Sequence, residues 1–170
     1  MIISSILAMS RNGCIGENNK LLWSLPKDMR FFKEKTNGHC VIMGRNTYES
    51  LPDNYRPLPN RTNIVLSHNP TFFSDGKIVV ARNLNEAIMV AYARGESECF
   101  IIGGASVYKE ALPLCDRVYL TFVHAKFNGD AYVNFPFGEF DVISNDYHTQ
   151  DEKHAYNFSI YEMHRKSEPL

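Results

Sequence analysis

Short runs of β-branched residues alternate with helical patterns along the first two thirds of this chain. The runs predict strands at residues 2–9, 41–43, 63–67, 78–81 and 100–102. The helical patterns between them predict helices at 26–36, 46–50, 85–94 and 105–111. This alternation is typical of a mostly parallel sheet with helices on its faces. Sheets of that kind bind their ligands at the carboxyl ends of the strands.

After residue 111 the pattern changes to strands alone, at 117–124, 142–147 and 157–164. This second part is predicted to be antiparallel. The chain shows no internal repeat, low-complexity linker or domain boundary. We therefore predict one α/β domain over residues 1–170. Its mixed, mostly parallel central sheet is flanked by about four helices, with antiparallel strands at the C-terminal edge.

Composition excludes several classes of function. The formal net charge is -1, and no basic run marks a surface for nucleic acid or a membrane. The chain has no apolar stretch near the ~20 residues of a membrane span, and its start lacks the basic flank of a signal peptide. The four cysteines lie far apart and the six histidines lack metal-ligand spacing. We expect a cytoplasmic protein without a metal, in which each histidine has a surface or structural role.

A carboxylate, Asp28, lies in the first turn of the helix predicted at 26–36. Pro26 suits a first helical position, and Leu25, Met29 and Phe32 recur at the spacing of one buried stripe. A charge beside such a stripe is costly unless it is paired, so a ligand with hydrogen-bond donors is one explanation. The alternative is a carboxylate that only complements the helix dipole.

Three predicted strand ends carry residues suited to phosphate groups. The strand at 41–43 runs into Gly44 and Arg45, and the strand at 100–102 runs into Gly103 and Gly104. The third ends in Leu66, Ser67 and His68. The chain has neither a nucleophile elbow nor a P-loop, and it lacks a glycine-rich fingerprint after the first strand. A Rossmann-type dinucleotide fold is therefore disfavoured, but dinucleotide binding is not.

Taken in order, these segments resemble dihydrofolate reductase of the bacterial chromosomal type. The resemblance covers nearly the whole chain. It rests on residues 6–8, 15–16, 23–32, 41–45 with Thr47, 56–59 with Arg61, 102–104 with Val107 and Tyr108, and 119–121. It implies that NADPH transfers a hydride to C6 of 7,8-dihydrofolate while N5 gains a proton, yielding tetrahydrofolate.

The same resemblance implies a substrate site built around Asp28. The carboxylate accepts hydrogen bonds from the pterin, with Thr121 joining through water, and a water near Leu21 and Trp23 supplies the proton to N5. Arg61 binds the glutamate α-carboxylate of the substrate. The remaining walls of the substrate pocket are Ile6, Met29, Phe32, Ser50, Leu51, Leu58 and Ile102.

For NADPH the resemblance implies a second set of residues. Those expected at the nicotinamide or the diphosphate are Ala8, Ile15, Gly16, Gly44, Asn46, Gly103, Gly104, Ala105, Ser106, Val107 and Tyr108. Arg45 and Thr47 bind phosphates, and Arg45, Leu66, Ser67, His68 and Arg82 surround the 2′-phosphate region. The Gly103-Gly104 peptide is expected to be cis. Ala105 and Ser106 depart from the family's usual glycine and arginine, which removes one expected phosphate contact.

Residues 9–24 contain too many turn formers for a packed element, and they match the family's mobile lid, supported by Gly129 and Asp130. The resemblance further implies a monomer that binds diaminopyrimidine and pteridine antifolates. Two alternatives stay open at this point. One is a riboflavin-pathway pyrimidine reductase of the same fold, and the other is a non-catalytic ligand-binding paralogue.

Overall fold

The computed structural model describes residues 1–69, 72 and 76–169. Its strands are β1 Ile2–Ser10, β2 Cys14–Gly16, β3 Cys40–Gly44, β4 Thr62–Leu66, β5 Val79–Ala81, β6 Glu98–Ile101, β7 Arg117–Val123, β8 Ala131–Tyr132, β9 Phe140–His148 and β10 Phe158–Arg165. Its α-helices are α1 Pro26–Thr36, α2 Arg45–Ser50, α3 Leu84–Ala93 and α4 Ala105–Ala111. Every predicted strand and helix is thus present, with ends that differ by two residues or fewer.

Eight strands form one sheet in the order β5-β4-β3-β6-β1-β7-β10-β9. The pairs from β5 to β7 are all parallel, whereas β10 runs antiparallel to both β7 and β9. The predicted fold class is therefore confirmed. The three long strands after residue 111 pair antiparallel with one another, as predicted. The prediction did not include the parallel pairing of β7 with β1, which follows the crossover through α4.

Side chains alternate across the sheet and create a core on each face. On β3, Cys40 and Ile42 pack in the core that contains the buried residues of α3 and α4. Val41 and Met43 point to the opposite core, which packs against Phe31 and Phe32 of α1. A third cluster at the antiparallel end joins Trp23, Leu25, Val123, Phe158 and Ile160. Helices thus cover both faces, as a largely parallel sheet requires.

The parallel register brings several strand ends to one edge. Gly44 at the end of β3 pairs with Leu66 of β4, and Leu66 pairs with Ala81 of β5. The amide of Gly44 also donates to the carbonyl of Gly103, which lies just after β6. The glycine-containing segments that were predicted to bind phosphate are therefore neighbours in space.

A short second sheet pairs β2 with β8 and was not predicted. All four cysteines are buried and free. Across the described ranges, no helix is both long and apolar enough to cross a membrane.

Candidate active site

Asp28 and Thr121 meet where the first turn of α1 packs beside the centre of β7. Leu25 precedes the helix in an extended conformation and is buried, and Pro26 occupies a first helical position as predicted. The hydroxyl of Thr121 donates directly to Oδ1 of Asp28 at 2.6 Å. The two residues predicted to act together on the pterin are therefore direct neighbours, and the water expected to join Thr121 to the pterin stays a prediction.

The environment of Asp28 distinguishes its two possible roles. Burial raises the pKa of the Asp28 carboxyl, and the hydrogen bond from Thr121 only partly opposes that rise. A carboxylate that merely complemented an exposed helix end would have a lowered pKa. The cost of burying the Asp28 charge exceeds the stabilisation that the Thr121 hydrogen bond provides. Further hydrogen bonds from a ligand would offset that cost, so this carboxylate is suited to accept them.

The residues around Asp28 differ in part from the predicted buried stripe. Leu25 is buried, but Met29 is 56% exposed and Phe32 is only half-buried, so Met29 does not belong to the core face. Of the predicted proton-donor region, Leu21 is exposed and Trp23 is buried. The indole Nε1 of Trp23 is buried and has no hydrogen-bond partner among the described residues.

Arg61 places a guanidinium beside the same helix. It donates to the hydroxyl of Thr36 at 3.1 Å and to the carbonyl of Pro59, and it lies 5.9 Å from the ring centre of Phe32. Desolvation by burial lowers its pKa. None of the ion pairs among the described residues involves Arg61. A partly desolvated guanidinium without a carboxylate partner suits an anionic ligand group.

The other predicted substrate residues lie on neighbouring elements. Leu58 is buried, and its backbone N–H and C=O both bond the side chain of Asn63. Ser50 ends α2 with its hydroxyl on the carbonyl of Thr47, and Leu51 follows it. Ile6 and Ile102 line the second core cluster, together with Leu51, Phe32 and Leu58.

Glycines pack the strand ends at the predicted cofactor side. The Gly103-Gly104 peptide is cis, as the resemblance implied, and Gly103 has a φ of 119°. A Cβ on Gly44 would lie 3.3 Å from the side chain of Val107, and one on Gly104 would lie 3.3 Å from the Thr47 hydroxyl. The absence of side chains here lets β3, α2 and α4 approach closely.

Tyr108 connects the two predicted sides of the site. Its hydroxyl donates to the carbonyl of Ile6 at 2.8 Å, which ties α4 to the central strand β1. Burial, and next the negative charge of Asp28, raise the pKa of Tyr108. The phenol is therefore neutral and close enough to Asp28 to be influenced by it. Ala8 and Ile15, also predicted at the cofactor, are half-buried.

The residues predicted near the 2′-phosphate of the cofactor make few contacts with one another. Arg45 pairs with Glu49 at 2.9 Å and stacks on Phe72, whereas Arg82 is exposed and pairs with Glu86. Ser67 is buried and its amide donates to Ala81, which precedes Arg82. The predicted residues Asn46, His68 and Ser106 are exposed, while Leu66, Gly104 and Ala105 are half-buried.

The segment predicted as a lid is packed in part. Cys14 of β2 is fully buried, and the amide of Asp130 donates to the carbonyl of Gly16 at 3.1 Å. The side chain of Asp130 also accepts from the amide of Asn18. The prediction that this segment is too rich in turn formers to pack is therefore wrong for β2, because β8 supplies a partner strand.

An apolar groove of about 230 Å³ lies elsewhere, between β7, β9 and β10. It is lined by Phe122, Phe137, Val142, Tyr161 and Met163. No predicted site residue lines it, and its walls carry no charge. The predicted residues around Asp28 therefore remain the candidate active site.

One residue near Asp28 was missed by the sequence analysis. His154, in the connection between β9 and β10, is 8% exposed and accepts a hydrogen bond from the amide of Lys27. This contact joins residues 127 positions apart, so no local pattern reveals it. The only local sign is the spacing of Asp151 and His154, which share a turn.

Known proteins resemble this chain over nearly its full length. A family model described as dihydrofolate reductase matches residues 2–165. The dihydrofolate reductase of Bacillus subtilis (strain 168) is 40% identical over 171 residues, covering 98% of this chain and 96% of that protein. The type 3 dihydrofolate reductase of Salmonella typhimurium is 39% identical, covering 98% and 99% respectively.

A solved structure of dihydrofolate reductase from Enterococcus faecalis, complexed with NADP(H) and RAB-propyl, is also similar. It superposes with a TM-score of 0.86 at 36% identity, covering 98% of this chain and 97% of that one.

Replacing Asp28 with Asn is expected to stabilise the ligand-free protein at neutral pH. Because the folded pKa of Asp28 is raised, the folded state binds more protons than the unfolded state, and stability falls as pH rises through this window. Asn keeps the acceptor for Thr121 but never ionises. The Tm of Asp28→Asn should exceed that of the wild type by a few degrees at about pH 7, and the gap should shrink toward about pH 4.

Thermal unfolding across this pH range measures the effect, with exposed Asp141→Asn as the control. A gap in Tm that stays constant with pH would contradict the assigned cause.

Replacing Gly129 with Ala is expected to open the segment around β2. The new Cβ would lie 2.2 Å from the carbonyl oxygen of Gly16 and 2.8 Å from the sulfur of Cys14, so backbone must move. The Asp130 to Gly16 hydrogen bond should break, and the Asp130 amide should exchange with solvent at least about 10-fold faster. Hydrogen exchange measures this. Gly138→Ala, with no atom within 4 Å, is the matched control and should leave that amide unchanged.

Proposed function

Since this chain belongs to the dihydrofolate reductase family, we propose that the cleft around Asp28 performs the reaction of that family with the residues described above. The chain is an NADPH-dependent oxidoreductase that reduces 7,8-dihydrofolate to 5,6,7,8-tetrahydrofolate. Dihydrofolate is therefore its substrate and NADPH its reductant. The observation that carries the assignment of residues is the desolvated carboxylate of Asp28, which the Thr121 hydroxyl satisfies only in part.

Asp28 orients the pterin ring. The ring presents N–H donors from its 2-amino group and its adjacent nitrogen, and a carboxylate accepts two such bonds in parallel. Thr121 occupies one lone pair of Oδ1 and fixes the plane of the carboxylate. The negative charge also favours the protonated form of the bound ring, which prepares it to accept a hydride.

The strand ends near Gly103 fit NADPH. A Cβ at positions 44, 103 and 104 would crowd Val107, Tyr108 or Thr47, so glycine is the residue that fits there. Glycine backbone can approach a diphosphate closely, and Arg45 and Thr47 lie beside these positions. Ser106 and Val107 complete the diphosphate wall, while Ala8, Ile15 and Tyr108 lie on the nicotinamide side. NADPH, when bound, supplies the hydride that adds to C6 of the pterin.

Discrimination of NADPH from NADH falls to the outer residues. Arg45, Ser67, His68 and Arg82 offer cations and donors for the 2′-phosphate. Arg45 and Arg82 are each paired with a glutamate, so both would exchange or share that partner when a phosphate binds.

Proton delivery to N5 uses water rather than Asp28 directly. The buried indole N–H of Trp23 has no protein acceptor among the described residues, which suits a donor that holds a water molecule. Leu21 lies on the same segment and limits solvent access when the lid, residues 9–24, covers the cleft.

Arg61 binds the glutamate part of the substrate. Its guanidinium lies beside Phe32 and is held by Thr36 and Pro59, so it is oriented before a ligand arrives. Met29, Ser50, Leu51 and Leu58 form the walls between Arg61 and Asp28. The exposed side chain of Met29 gains burial when a substrate ring packs against it.

Binding of inhibitors follows from the same carboxylate. The family binds antifolates, and the Enterococcus faecalis relative was solved with a further compound besides NADP(H). We propose that diaminopyrimidine and pteridine antifolates bind here, because their amino groups present donors to Asp28. We further propose that residues 1–170 form one domain that acts as a cytoplasmic monomer, without a nucleic-acid or membrane partner.

Replacing Asp28 with Asn is expected to lower kcat/KM for dihydrofolate by about 10² to 10³ at neutral pH, because the ring loses its charged acceptor. The loss should be smallest at low pH, where the substrate is already protonated. Oxidation of NADPH followed at 340 nm measures both, with Asp141→Asn as the control.

Full activity of Asp28→Asn would remove the role proposed for this residue. Reduction of a ribosylamino-pyrimidine in place of dihydrofolate would favour the pyrimidine reductase, and inactivity of the wild type would favour a paralogue that only binds ligands.

Replacing Arg61 with Met is expected to raise KM for dihydrofolate by about 30- to 150-fold, the effect of losing about 2 to 3 kcal/mol of charged hydrogen bonds. Reduction of 7,8-dihydropterin, which lacks the glutamate, should change less than about threefold. Steady-state kinetics with both substrates measures the difference, and the exposed Arg94→Met variant is the control. Equal losses for the two substrates would show that Arg61 acts only on the fold.

A further inference from the structure

The first turn of α1 lacks the usual means of satisfying its backbone N–H groups. The residue before the helix, Leu25, has no side chain able to cap it, and Pro26 has no N–H. The amide of Lys27 is therefore the first that needs an acceptor. It donates to Nε2 of His154 at 3.2 Å, across a sequence separation of 127 residues.

The hydrogen bonds of His154 indicate which ring nitrogen donates and which accepts. Its Nδ1 lies 2.8 Å from Oδ1 of Asp151. The same oxygen accepts from the amides of Lys153 and His154, which holds the carboxylate in place. Nδ1 therefore carries the proton and donates to Asp151, which leaves the lone pair of Nε2 free to accept from Lys27.

Packing holds the imidazole in this orientation. His154 is 8% exposed, and its ring centre lies 5.3 Å from that of Phe158, a fully buried residue of β10. Phe158 belongs to the cluster that includes Trp23 and Leu25. The acceptor for α1 is thus fixed by the same apolar cluster that supports the segment leading into the helix.

We propose that His154 is a positioning residue for the reaction: it holds the first turn of α1, and thereby sets Asp28 in the geometry that meets Thr121 and the pterin. This inference rests on the role proposed for Asp28. Asp28 follows Lys27 directly, and its 2.6 Å bond to Thr121 requires the first turn to lie at one height along β7. Without this acceptor, the first turn of α1 is frayed in part of the molecules, and in those Asp28 cannot bind the pterin ring. The apparent affinity for the ring then falls in proportion to the fraction of molecules in which the turn is formed.

Protonation of His154 should weaken this arrangement. A protonated ring has N–H groups at both nitrogens, so Nε2 would face the Lys27 amide as a second donor at the positive end of a helix. Asp151 is the counter-charge on the same loop, where Glu152 and Lys153 are exposed.

From the neighbouring elements, the ammonium of Lys27 lies 3.1 Å from Nδ1 of His148 on β9. Nε2 of that histidine lies 3.0 Å from Asp146. Asp28 is the remaining charged group in this turn of α1.

Three variants test the proposal. His154→Leu removes the acceptor. His154→Gln keeps an oxygen able to accept from the Lys27 amide but does not titrate. His164→Leu is the control, since that histidine also lies beside a carboxylate but is half-buried and pairs with Glu162 on β10. Affinities for a 2,4-diaminopteridine and for NADPH are measured separately by fluorescence titration at about pH 8, with Asp28→Asn in parallel.

His154→Leu should weaken binding of the diaminopteridine by about 5- to 10-fold, within the range for loss of a helix cap, and change NADPH affinity by less than about twofold. His154→Gln should stay within about threefold of the wild type for both ligands. His164→Leu should change neither affinity.

Equal losses for both ligands in His154→Leu and His154→Gln would overturn the inference, since they would mean a purely structural role. Unchanged pteridine affinity in His154→Leu, with weak binding in Asp28→Asn, would overturn this inference alone. Unchanged affinity in Asp28→Asn would instead contradict the role proposed for Asp28.

A pH series decides the matter if His154→Leu fails to fold. The ratio of the pteridine dissociation constants of wild type and His154→Gln should rise as the pH falls and the imidazole is protonated. In the wild type, the NMR resonance of the Lys27 amide should shift with the same midpoint as the His154 ring. A flat ratio, or an amide shift that persists in His154→Gln, would overturn the inference.

Discussion

The hydrogen bond between Thr121 and Asp28 is the contact on which the site depends. It joins the start of α1, a helix that follows a long connection, to the centre of β7 inside the sheet. A carboxylate in this position costs stability because burial raises its pKa. The apolar cluster that contains Leu25 and Phe158 holds the start of α1 in place and so offsets the cost of the buried carboxylate. In the proposed function, this loss of stability accompanies a group that recognises a ligand.

Much of the fold was predictable because local signals agreed with the tertiary structure. Pro26 marks the start of α1 and Gly104 the start of α4, and both helices begin and end at the predicted residues. Strands that are buried on both faces appear in the sequence as continuous runs of apolar residues. The direction of β7 was not predictable, because it depends on the crossover rather than on the strand's own residues. The strands β2 and β8 are too short to carry a pattern and exist only as a pair.

The site was predicted unevenly for a similar reason. Residues on regular elements, such as Asp28 on α1 and Thr121 on β7, belong to motifs with fixed spacing. His154 escaped because its partner is a backbone amide far away in the sequence, and a backbone group leaves no mark on residue identity. Met29 was placed on a buried stripe because helical spacing does not distinguish a core face from an exposed one.

The tether between Tyr108 and Ile6 has a consequence for how this protein can vary. One side chain on α4 bonds the backbone of the central strand, and in the proposed function both residues line the region where the reductant and substrate meet. A change in the size of either residue would then move the wall of both proposed pockets at once. A substitution that excludes an inhibitor from one pocket therefore also alters the other pocket. Compensating substitutions are then expected at the other end of the hydrogen bond between Tyr108 and Ile6.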